Sequence, residues 1–459
     1  MTATNHSTHW KITSAIPGII WPAIPIDAGA TTLALMFQLN RTQWLPADSL
    51  VQNQMRQLDR VLRHAHASVP YYRDRWRGCY DAAAAVDPER LAQLPLLTRR
   101  DLQDHFAALA STQTPASHGA VSEARTSGST GAPVVVLKTE LTGLLWRAIT
   151  LRDHAWHRRD LRGKLAAIRH GFTPGEYPGW GAATDGLIAT GPSVVRGVNA
   201  DVKSHLVWLE QQQADYLITH PSLAGELARD SLARGLRLPR LRELRTYGEL
   251  LSAEVREMCV EAWGVPVVDT YSTNEVGYVA LQCPEHAHYH AQSESLVVEV
   301  ISDSGKPCAP GEVGRIVVTT LHNFAMPLVR YALGDYAEVG EPCSCGRGLP
   351  VLRRILGRVR NMLVTRTGER YWPALGSRKI SELAPVRQYQ LVQKSTELIE
   401  LRLVTGEPLS GDQESKLKAY IAALLPGEFR VQITCCENIP RSIGGKFEDF
   451  MSELDGEAR

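Results

Sequence analysis

The sequence predicts an α/β fold. It comprises a large N-terminal domain with mainly parallel sheets flanked by helices and a small antiparallel β subdomain, followed by a small α+β C-terminal domain. Three observations carry this prediction. The chain has 459 residues, more than one hydrophobic core usually organises. Strand-like and helix-like segments alternate from residue 165 to 269, as in βαβ units. From residue 296, short strands separated by Gly/Pro turns replace this pattern.

The individual elements follow from hydrophobic periodicity. Residues 48 to 110 are rich in Leu, Gln, Arg and Ala at helical spacing and predict helices that open the large domain. The range 296 to 328 predicts an antiparallel pair of strands. Predicted strands are Val134–Leu137, Leu165–Ile168, Tyr216–Thr219, Leu244–Tyr247 and Val265–Asp269, and predicted helices are Glu140–His154, Val202–Gln212, Ser222–Arg234 and Ala253–Trp263.

The last roughly one hundred residues predict an α+β unit large enough to form a domain. Strand-like segments at Leu398–Val404 and Phe429–Ile433 enclose a helix-like segment at Asp412–Leu424. We place the boundary between Gly357 and Asn361, which gives domains of residues 1–357 and 358–459.

Composition excludes several classes of protein. A net charge of +1 produces no electrostatic field that would attract nucleic acid or an anionic membrane surface. The apolar stretch Ile16–Leu39 is interrupted by three prolines and by Asp27, so we expect an N-terminal arm that packs on the body rather than a membrane span. Eight cysteines are too few for a secreted disulfide scaffold of this length. We therefore expect a cytoplasmic protein with reduced thiols.

The segment from Thr126 to Pro133, TSGSTGAP, indicates a phosphate-binding loop. Glycines let backbone N–H groups turn toward an anion, and hydroxyls add further donors. No lysine follows Gly131, so this is not the kinase-type loop. The pattern alone also fits a plain surface turn. The predicted phosphate contacts are Thr126, Ser127, Gly128, Ser129, Thr130 and Gly131.

Four more motifs follow this loop along the chain. They are DTYSTNEVG from Asp269, LVRYALGD from Leu328, GRVRNML from Gly357 and PRSIGGK from Pro440. In order and spacing, the five motifs resemble the signatures of the adenylate-forming superfamily, which includes acyl-CoA synthetases, peptide-synthetase adenylation domains and luciferases.

Within this superfamily the chain is most similar to the phenylacetate-CoA ligases. The features that carry this likeness are the compact length, the segment from Leu62 to Arg73, the Tyr247-Gly-Glu turn and the Cys343-Ser-Cys345 pair. The resemblance covers nearly the whole chain after about Asp48.

The resemblance implies an enzyme that uses ATP to activate a carboxylic acid as an acyl-adenylate and passes the acyl group to the thiol of coenzyme A. A magnesium ion, backbone donors and a lysine suit the negative charges of that reaction. By resemblance, Glu275 holds Mg²⁺ and Lys446 bridges the carboxylate and the α-phosphate. The resemblance also implies that the C-terminal domain is mobile, that Lys446 acts in one of its orientations, and that Arg360 is the pivot.

Further nucleotide contacts follow from the same resemblance. Asp335 would accept hydrogen bonds from both ribose hydroxyls, since an ionised carboxylate is an acceptor only. Arg358 would donate to the ribose or the α-phosphate, and Tyr271 offers an aromatic face near the adenine or the acyl group. The remaining residues assigned to the nucleotide are Gly248, Glu249, Asp269 and Ser272.

The acyl pocket is expected to be lined by the segments 169–172 and 220–222 and by Tyr247. The residues assigned to it are His170, Phe172, His220 and Tyr247. By resemblance the substrate is an aryl or arylacetic acid. Residues 173 to 199 lack the Phe-Thr-Gly-Gly type run of the phenylacetate enzymes, so phenylacetate itself is not favoured.

A separate group of cysteines and histidines indicates zinc. Cys283, the cluster of His286, His288 and His290, and the Cys343-Ser-Cys345 pair offer the sulfur and imidazole ligands that tetrahedral zinc prefers. When the strand segment that follows, Leu-Val-Val-Glu-Val from Leu296, is matched to the corresponding strand of the relatives, His290 is selected among the three histidines. The predicted structural site is Cys283, His290, Cys343 and Cys345. The alternative is two unrelated turns with reduced thiols.

Two other functions stay open. The acyl acceptor could instead be an amine or a carrier-protein thiol, as in secondary metabolism. A protein of another class, a non-catalytic nucleotide-binding scaffold, would keep the fold alone; the joint presence of Lys446, Glu275 and Asp335 speaks against it. The expected partners are a small carboxylic acid, ATP and coenzyme A, without nucleic acid or membrane, and a homodimer is left open.

Overall fold

The computed structural model describes residues 10–126, 133–373, 376–442 and 444–454. The predicted phosphate contacts from Ser127 to Gly131 lie outside these residues. The helices are α1 Asp27–Thr42, α2 Ala47–Ser68, α3 Pro70–Arg75, α4 Pro88–Gln93, α5 Arg99–Asp104, α6 Phe106–Leu109, α7 Glu140–Trp156, α8 Val202–Gln212, α9 Pro221–Arg234, α10 Ala253–Trp263, α11 Ser377–Leu383 and α12 Gly411–Leu424.

The strands are spread over the whole chain. In chain order they are β1 Val121–Arg125, β2 Val135–Thr139, β3 Leu165–Ile168, β4 Gly175–Tyr177, β5 Ser193–Arg196, β6 Tyr216–Thr219, β7 Glu243–Tyr247, β8 Val267–Thr273, β9 Gly277–Gln282, β10 Tyr289–Ala291, β11 Leu296–Ile301, β12 Val313–Thr320, β13 Tyr331–Val339, β14 Val351–Arg358, β15 Leu363–Val364, β16 Arg370–Tyr371, β17 Val386–Ser395, β18 Leu398–Thr405, β19 Arg430–Cys435 and β20 Phe450–Ser452.

One sheet of twelve strands organises the N-terminal part, in the order β11-β12-β13-β14-β10-β9-β8-β7-β6-β3-β5-β4. The run β8-β7-β6-β3-β5 is parallel, and the strands on the β9 side of it pair antiparallel. The predicted fold class is therefore confirmed. The antiparallel strands, expected as a subdomain, continue the same sheet.

Helix signals in the sequence explain where the central helices begin and end. The Ser252 hydroxyl accepts a hydrogen bond from the Val255 backbone N–H at the start of α10, and Gly264 ends that helix at φ +69°. Pro221 opens α9, where a missing N–H costs nothing, and Gly235 closes it at φ +64°. These stops bring the chain back to the sheet after each helix.

The apolar side chains form separate cores. α8, α9 and α10 cover the parallel strands, where Leu217 and Leu244 are fully buried. The N-terminal helices pack on the antiparallel strands, with Leu58 and Trp76 among the buried residues. The C-terminal sheet, ordered β19-β18-β17-β20, has a core that includes Leu401.

A buried ion network ties α7 to β7. Arg159 contacts Asp153 at 2.5 Å and Glu243 at 2.6 Å, and Arg245 contacts Asp153 at 2.9 Å. Burial alone would raise the pKa of Asp153, but the two guanidinium groups hold it well below its usual range. The network fixes β7, which ends at Tyr247 in the candidate site.

The second half of the N-terminal arm packs on the body, as predicted, but it forms a helix that the sequence analysis does not predict. In the first half, Ile20 and Trp21 are 89% and 87% exposed. α1 lies against α7, and Leu39 is buried with Ala148 and Ile149. No helix within the described ranges combines the length and the apolarity that crossing a membrane would require.

Candidate functional site

Strands β8, β13 and β14 bring three of the predicted nucleotide residues together. Asp335 on β13 is paired in register with Arg358 on β14. The Tyr271 hydroxyl donates to Asp335 Oδ2 at 2.7 Å, and Arg358 Nε donates to Asp335 Oδ1 at 3.3 Å. The side chains of Tyr271 and Arg358 thereby hold the Asp335 carboxylate in one orientation. A carboxylate has about four acceptor positions, so acceptor capacity remains for ribose hydroxyls.

Glu275 lies in the turn between β8 and β9 and is 8% exposed. Its carboxylate accepts a long hydrogen bond from the Tyr331 hydroxyl at 3.5 Å. Arg99 Nη1 lies 3.8 Å from Glu275 Oε1, and the Arg99 guanidinium also donates to Thr126 Oγ1 at 3.5 Å. The first residue of the predicted phosphate loop is thus linked to Glu275 through one arginine.

Lys446 lies beside Gly248, where its Cε is 3.5 Å from the position that a Cβ on Gly248 would occupy. Burial and the charge of Arg358 lower the pKa of Lys446. The carboxylates of Asp335, Glu249 and Glu275 act on it in the opposite direction. The lysine is therefore within electrostatic reach of the carboxylates placed by β8 and β13.

Glu249 links the loop that carries Lys446 to the N-terminal part. Its Oε1 accepts from the Phe447 backbone N–H at 2.6 Å, and its Oε2 accepts from the Ser222 backbone N–H at 2.9 Å. Arg441 adds a second link, since it donates to Ser222 Oγ at 2.6 Å and to Glu226 Oε1 at 2.9 Å. Together these contacts hold Lys446 toward the site.

Two of the residues predicted for the acyl pocket, His220 and Tyr247, lie next to Gly248. His220 Nδ1 lies 3.1 Å from the Tyr247 carbonyl oxygen, and the two rings are 4.7 Å apart. The His220 Nε2 atom is buried and has no hydrogen-bond partner in the described ranges. Phe172 is half exposed, and His170 packs beside Gly445, where an added Cβ would meet His170 Cβ at 2.8 Å.

A cavity of about 300 Å³ opens beside Glu275. Aromatic Trp146 and Tyr278, which stack at 6.2 Å, line it together with Lys138 and His322. Burial lowers the pKa of Lys138, and Glu275 opposes that shift. None of the four residues predicted for the acyl pocket lines this cavity.

Asp269, a further predicted nucleotide contact, is buried on β8 next to β7. Both carboxylate oxygens are occupied inside the protein, by the Thr246 hydroxyl at 2.5 Å and the Tyr289 hydroxyl at 2.8 Å. Burial raises the pKa of this carboxyl. Asp269 therefore joins β8 to β7 and β10, and its contact with the nucleotide stays a prediction. Ser272, three residues further along β8, is paired with Tyr278 of β9 in the strand register.

The cysteine and histidine cluster assembles at the β9 to β10 turn and the loop before β14. The ligand atoms of Cys283, His288, His290 and Cys343 all lie within 4.8 Å of one another. His288 Nε2 lies 3.0 Å from Cys343 Sγ. Cys345 Sγ lies 3.4 Å from His290 Nε2. Three of the four predicted ligands thus meet as a compact group together with His288. Cys345, the fourth predicted ligand, lies beside His290 and stays a prediction.

Sequence reasoning missed several of these neighbours. Arg99 and Lys138 stand outside the recognised motifs, and only folding brings them to Glu275. Arg441 lies within the quoted PRSIGGK motif, yet its partner Glu226 is 215 positions away along the chain. Basic residues flanking a motif are the only signal in the sequence that could have identified them.

Comparisons with known proteins agree with this geometry. No protein-family model matches the chain. The phenylacetate-coenzyme A ligase of Thermus thermophilus is 28% identical over 393 residues, which cover 79% of this chain and 83% of the relative. The enzyme of the same name from Pseudomonas putida is 26% identical over 427 residues, covering 86% and 93%. The resemblance to phenylacetate-CoA ligases is confirmed.

A solved structure shows the same fold. The crystal structure of 2-hydroxyisobutyryl-CoA ligase in the postadenylation state, in complex with R3-HIB-AMP, aligns with a TM-score of 0.72 at 19% identity. The alignment covers 91% of this chain and 92% of that one. The fold of this chain is that of an adenylate-forming ligase.

Proposed function

We propose that this chain, similar in sequence to phenylacetate-coenzyme A ligases, is an AMP-forming acid–thiol ligase. It activates a carboxylic acid with ATP as an acyl-adenylate and transfers the acyl group to coenzyme A. The named relatives support acid activation and thioester formation. An aryl or arylacetic acid is the proposed substrate class.

The observation that carries the proposal is the position of Lys446. The loop that carries Lys446 is held by contacts of Glu249 with Phe447 and Arg441. The lysine lies beside Gly248, within electrostatic reach of Asp335 and Glu275. A cation placed there can face both the carboxylate of an acid and an α-phosphate. A scaffold that only bound a nucleotide would have no need for a half-buried lysine at this point.

The residues have complementary tasks in this proposal. Asp335, oriented by Tyr271 and Arg358, binds the ribose hydroxyls. Lys446 brings the acid carboxylate and the α-phosphate together and stabilises the charge that develops as the carboxylate oxygen attacks phosphorus and pyrophosphate leaves. Because Lys446 and Glu249 are preorganised, little reorganisation is needed at the moment of reaction.

Magnesium fits the carboxylate of Glu275. Its buried carboxylate is a hard oxygen ligand of the kind that Mg²⁺ prefers. We propose that Glu275 holds the ion, which would neutralise charge on the triphosphate.

The test of the proposed function is acid-dependent thioester formation. Purified chain is incubated with ATP, Mg²⁺, coenzyme A and a panel of aromatic and aliphatic acids, and acyl-CoA is measured by mass spectrometry. We expect thioester with at least one acid and AMP in equal amount. A second outcome is that AMP and pyrophosphate form without thioester, while the acyl group appears on an added amine or carrier-protein thiol. That result would show that the acceptor is this amine or thiol and not coenzyme A.

We further propose the domain arrangement and the location. Residues 1–357 would form the ATP and acid site, and residues 358–459 the mobile domain that carries Lys446 and turns near Arg360. All eight cysteines are free thiols, which supports the cytoplasm as its compartment. A homodimer stays a prediction.

We propose zinc at the cysteine and histidine cluster. A tetrahedral site with Zn–S bonds of about 2.3 Å has ligand-to-ligand edges of roughly 3.8 Å. The Cys283 and Cys343 sulfurs are 3.9 Å apart, close to that edge. His290 Nδ1 lies 3.4 Å from the Leu349 carbonyl oxygen, which would direct Nε2 to the metal. Such a closed site would join two loops and stabilise the fold.

The substitution Cys343→Ser is expected to remove about one equivalent of zinc and to lower the melting temperature. The reason is that the binding energy of a structural metal site contributes to the free energy of folding. Metal content by mass spectrometry of the purified protein and thermal unfolding check both effects. Serine at the exposed Cys79 is the matched control. Metal-free wild-type protein whose stability equals that of C343S would contradict the site.

A further inference from the structure

Arg169 lies at the far end of a row of side chains that starts at Lys446. Lys446 packs on Gly248, which contacts His220, and His220 contacts Tyr247. Arg169 Nε donates to the Tyr247 hydroxyl at 3.1 Å. A carboxylic acid whose reacting end is at Lys446 can therefore extend over Tyr247 toward Arg169.

Two aromatic rings fix the Arg169 guanidinium. Its Cζ lies 4.2 Å from the centre of the Phe172 ring and 4.7 Å from that of Tyr247. Tyr278, at the edge of the cavity beside Glu275, is also within electrostatic reach of Arg169. The guanidinium is therefore preorganised, because the two rings set the direction in which its N–H donors point.

Arg169 has no carboxylate partner in the described part of the chain, and it is half buried. Arg159, by contrast, is paired with Asp153 and Glu243. Nε is the only guanidinium nitrogen of Arg169 that donates to a described group. The N–H groups of the two terminal nitrogens, Nη1 and Nη2, are thus available to donate hydrogen bonds to a ligand.

We propose, building on the ligase function above, that Arg169 determines substrate specificity by binding a second carboxylate on the acid. The fork of a guanidinium matches a planar carboxylate with two parallel hydrogen bonds. The substrate would be a dicarboxylic acid, with one carboxylate activated at Lys446 and the other held by Arg169. A monoacid would leave the cation desolvated and unpaired, which disfavours its binding.

The test compares matched acids in binding and in activity. The full chain is titrated calorimetrically with isophthalate and terephthalate against benzoate, and with succinate and glutarate against butyrate and valerate. The same samples are assayed for acid-dependent pyrophosphate exchange. R169M keeps the length of the side chain without its charge, and R169K keeps the charge without the fork. R196M is the matched control, since Arg196 on the adjacent β5 donates to the Ser204 carbonyl oxygen outside this row.

We expect at least one diacid to bind wild-type protein about tenfold or more tightly than its matched monoacid, as charge-assisted hydrogen bonds do. R169M should bring this ratio close to one, R169K should retain part of it, and R196M should leave it unchanged. A merely structural role for Arg169 would weaken the binding of both acids of a pair alike.

Equal binding within every pair, or a diacid preference that persists in R169M, overturns the inference and places the acid elsewhere, for example in the cavity beside Glu275. The binding ratio decides this inference, whereas pyrophosphate exchange decides the proposed function.

Discussion

Lys446→Ala is expected to slow acyl-adenylate formation by about three orders of magnitude, since a preorganised charge that faces the transition state is removed. ATP binding should fall much less, because Asp335, Arg358 and the phosphate loop remain. Single-turnover measurement of adenylate with saturating ATP and acid reports the chemical step, and calorimetric titration with ATP reports binding.

The second half-reaction separates two roles for this lysine. When chemically prepared acyl-adenylate is supplied, the K446A variant should still form thioester, because in the proposed mechanism the C-terminal domain has then turned and carried Lys446 away. Lys416→Ala, an exposed lysine on α12 paired with Asp412, is the matched control. Equal loss of both half-reactions would mean that Lys446 supports the fold or both orientations alike.

Glu275→Gln should weaken magnesium-dependent adenylation by about two orders of magnitude, because a neutral amide is a poor ligand for Mg²⁺ and leaves the triphosphate charge uncompensated. The Mg²⁺ concentration that gives half-maximal rate should rise. Circular dichroism should be nearly unchanged, since the contacts of the carboxylate to the described residues Tyr331 and Arg99 are long.

The matched control for this change is Glu257→Gln on the exposed face of α10. Initial rates of pyrophosphate release over a Mg²⁺ titration compare the two variants. Unchanged rate and unchanged Mg²⁺ dependence in E275Q would remove Glu275 from the site.

Elements with strong local signals were predictable from the sequence. α8 has the predicted bounds, Val202–Gln212, because Asp201 caps its start and the apolar spacing is regular. β6 also matches, since a short apolar run lies between two turns. α1 was not predicted, because prolines precede it and its apolar residues resemble those of an irregular arm.

Interactions between distant residues explain most of what the sequence could not reveal. The antiparallel strands join the parallel sheet through the pairing of β8 with β9, which residue patterns do not specify. Asp269 lies within a recognised motif, and only the structure shows its contacts to Thr246 and Tyr289. His288 and His290 are two residues apart in the sequence, and only the position of Cys343 shows that both belong to the cluster.

The central claim, that this chain forms an acyl-adenylate, is tested most directly by exchange of labelled pyrophosphate into ATP. Purified chain, Mg²⁺, ATP and labelled pyrophosphate are incubated with each acid of the panel and without acid, in parallel with K446A. The account predicts exchange that depends on at least one carboxylic acid and is nearly abolished in K446A. Exchange absent with every acid, or equal with and without acid, would contradict it.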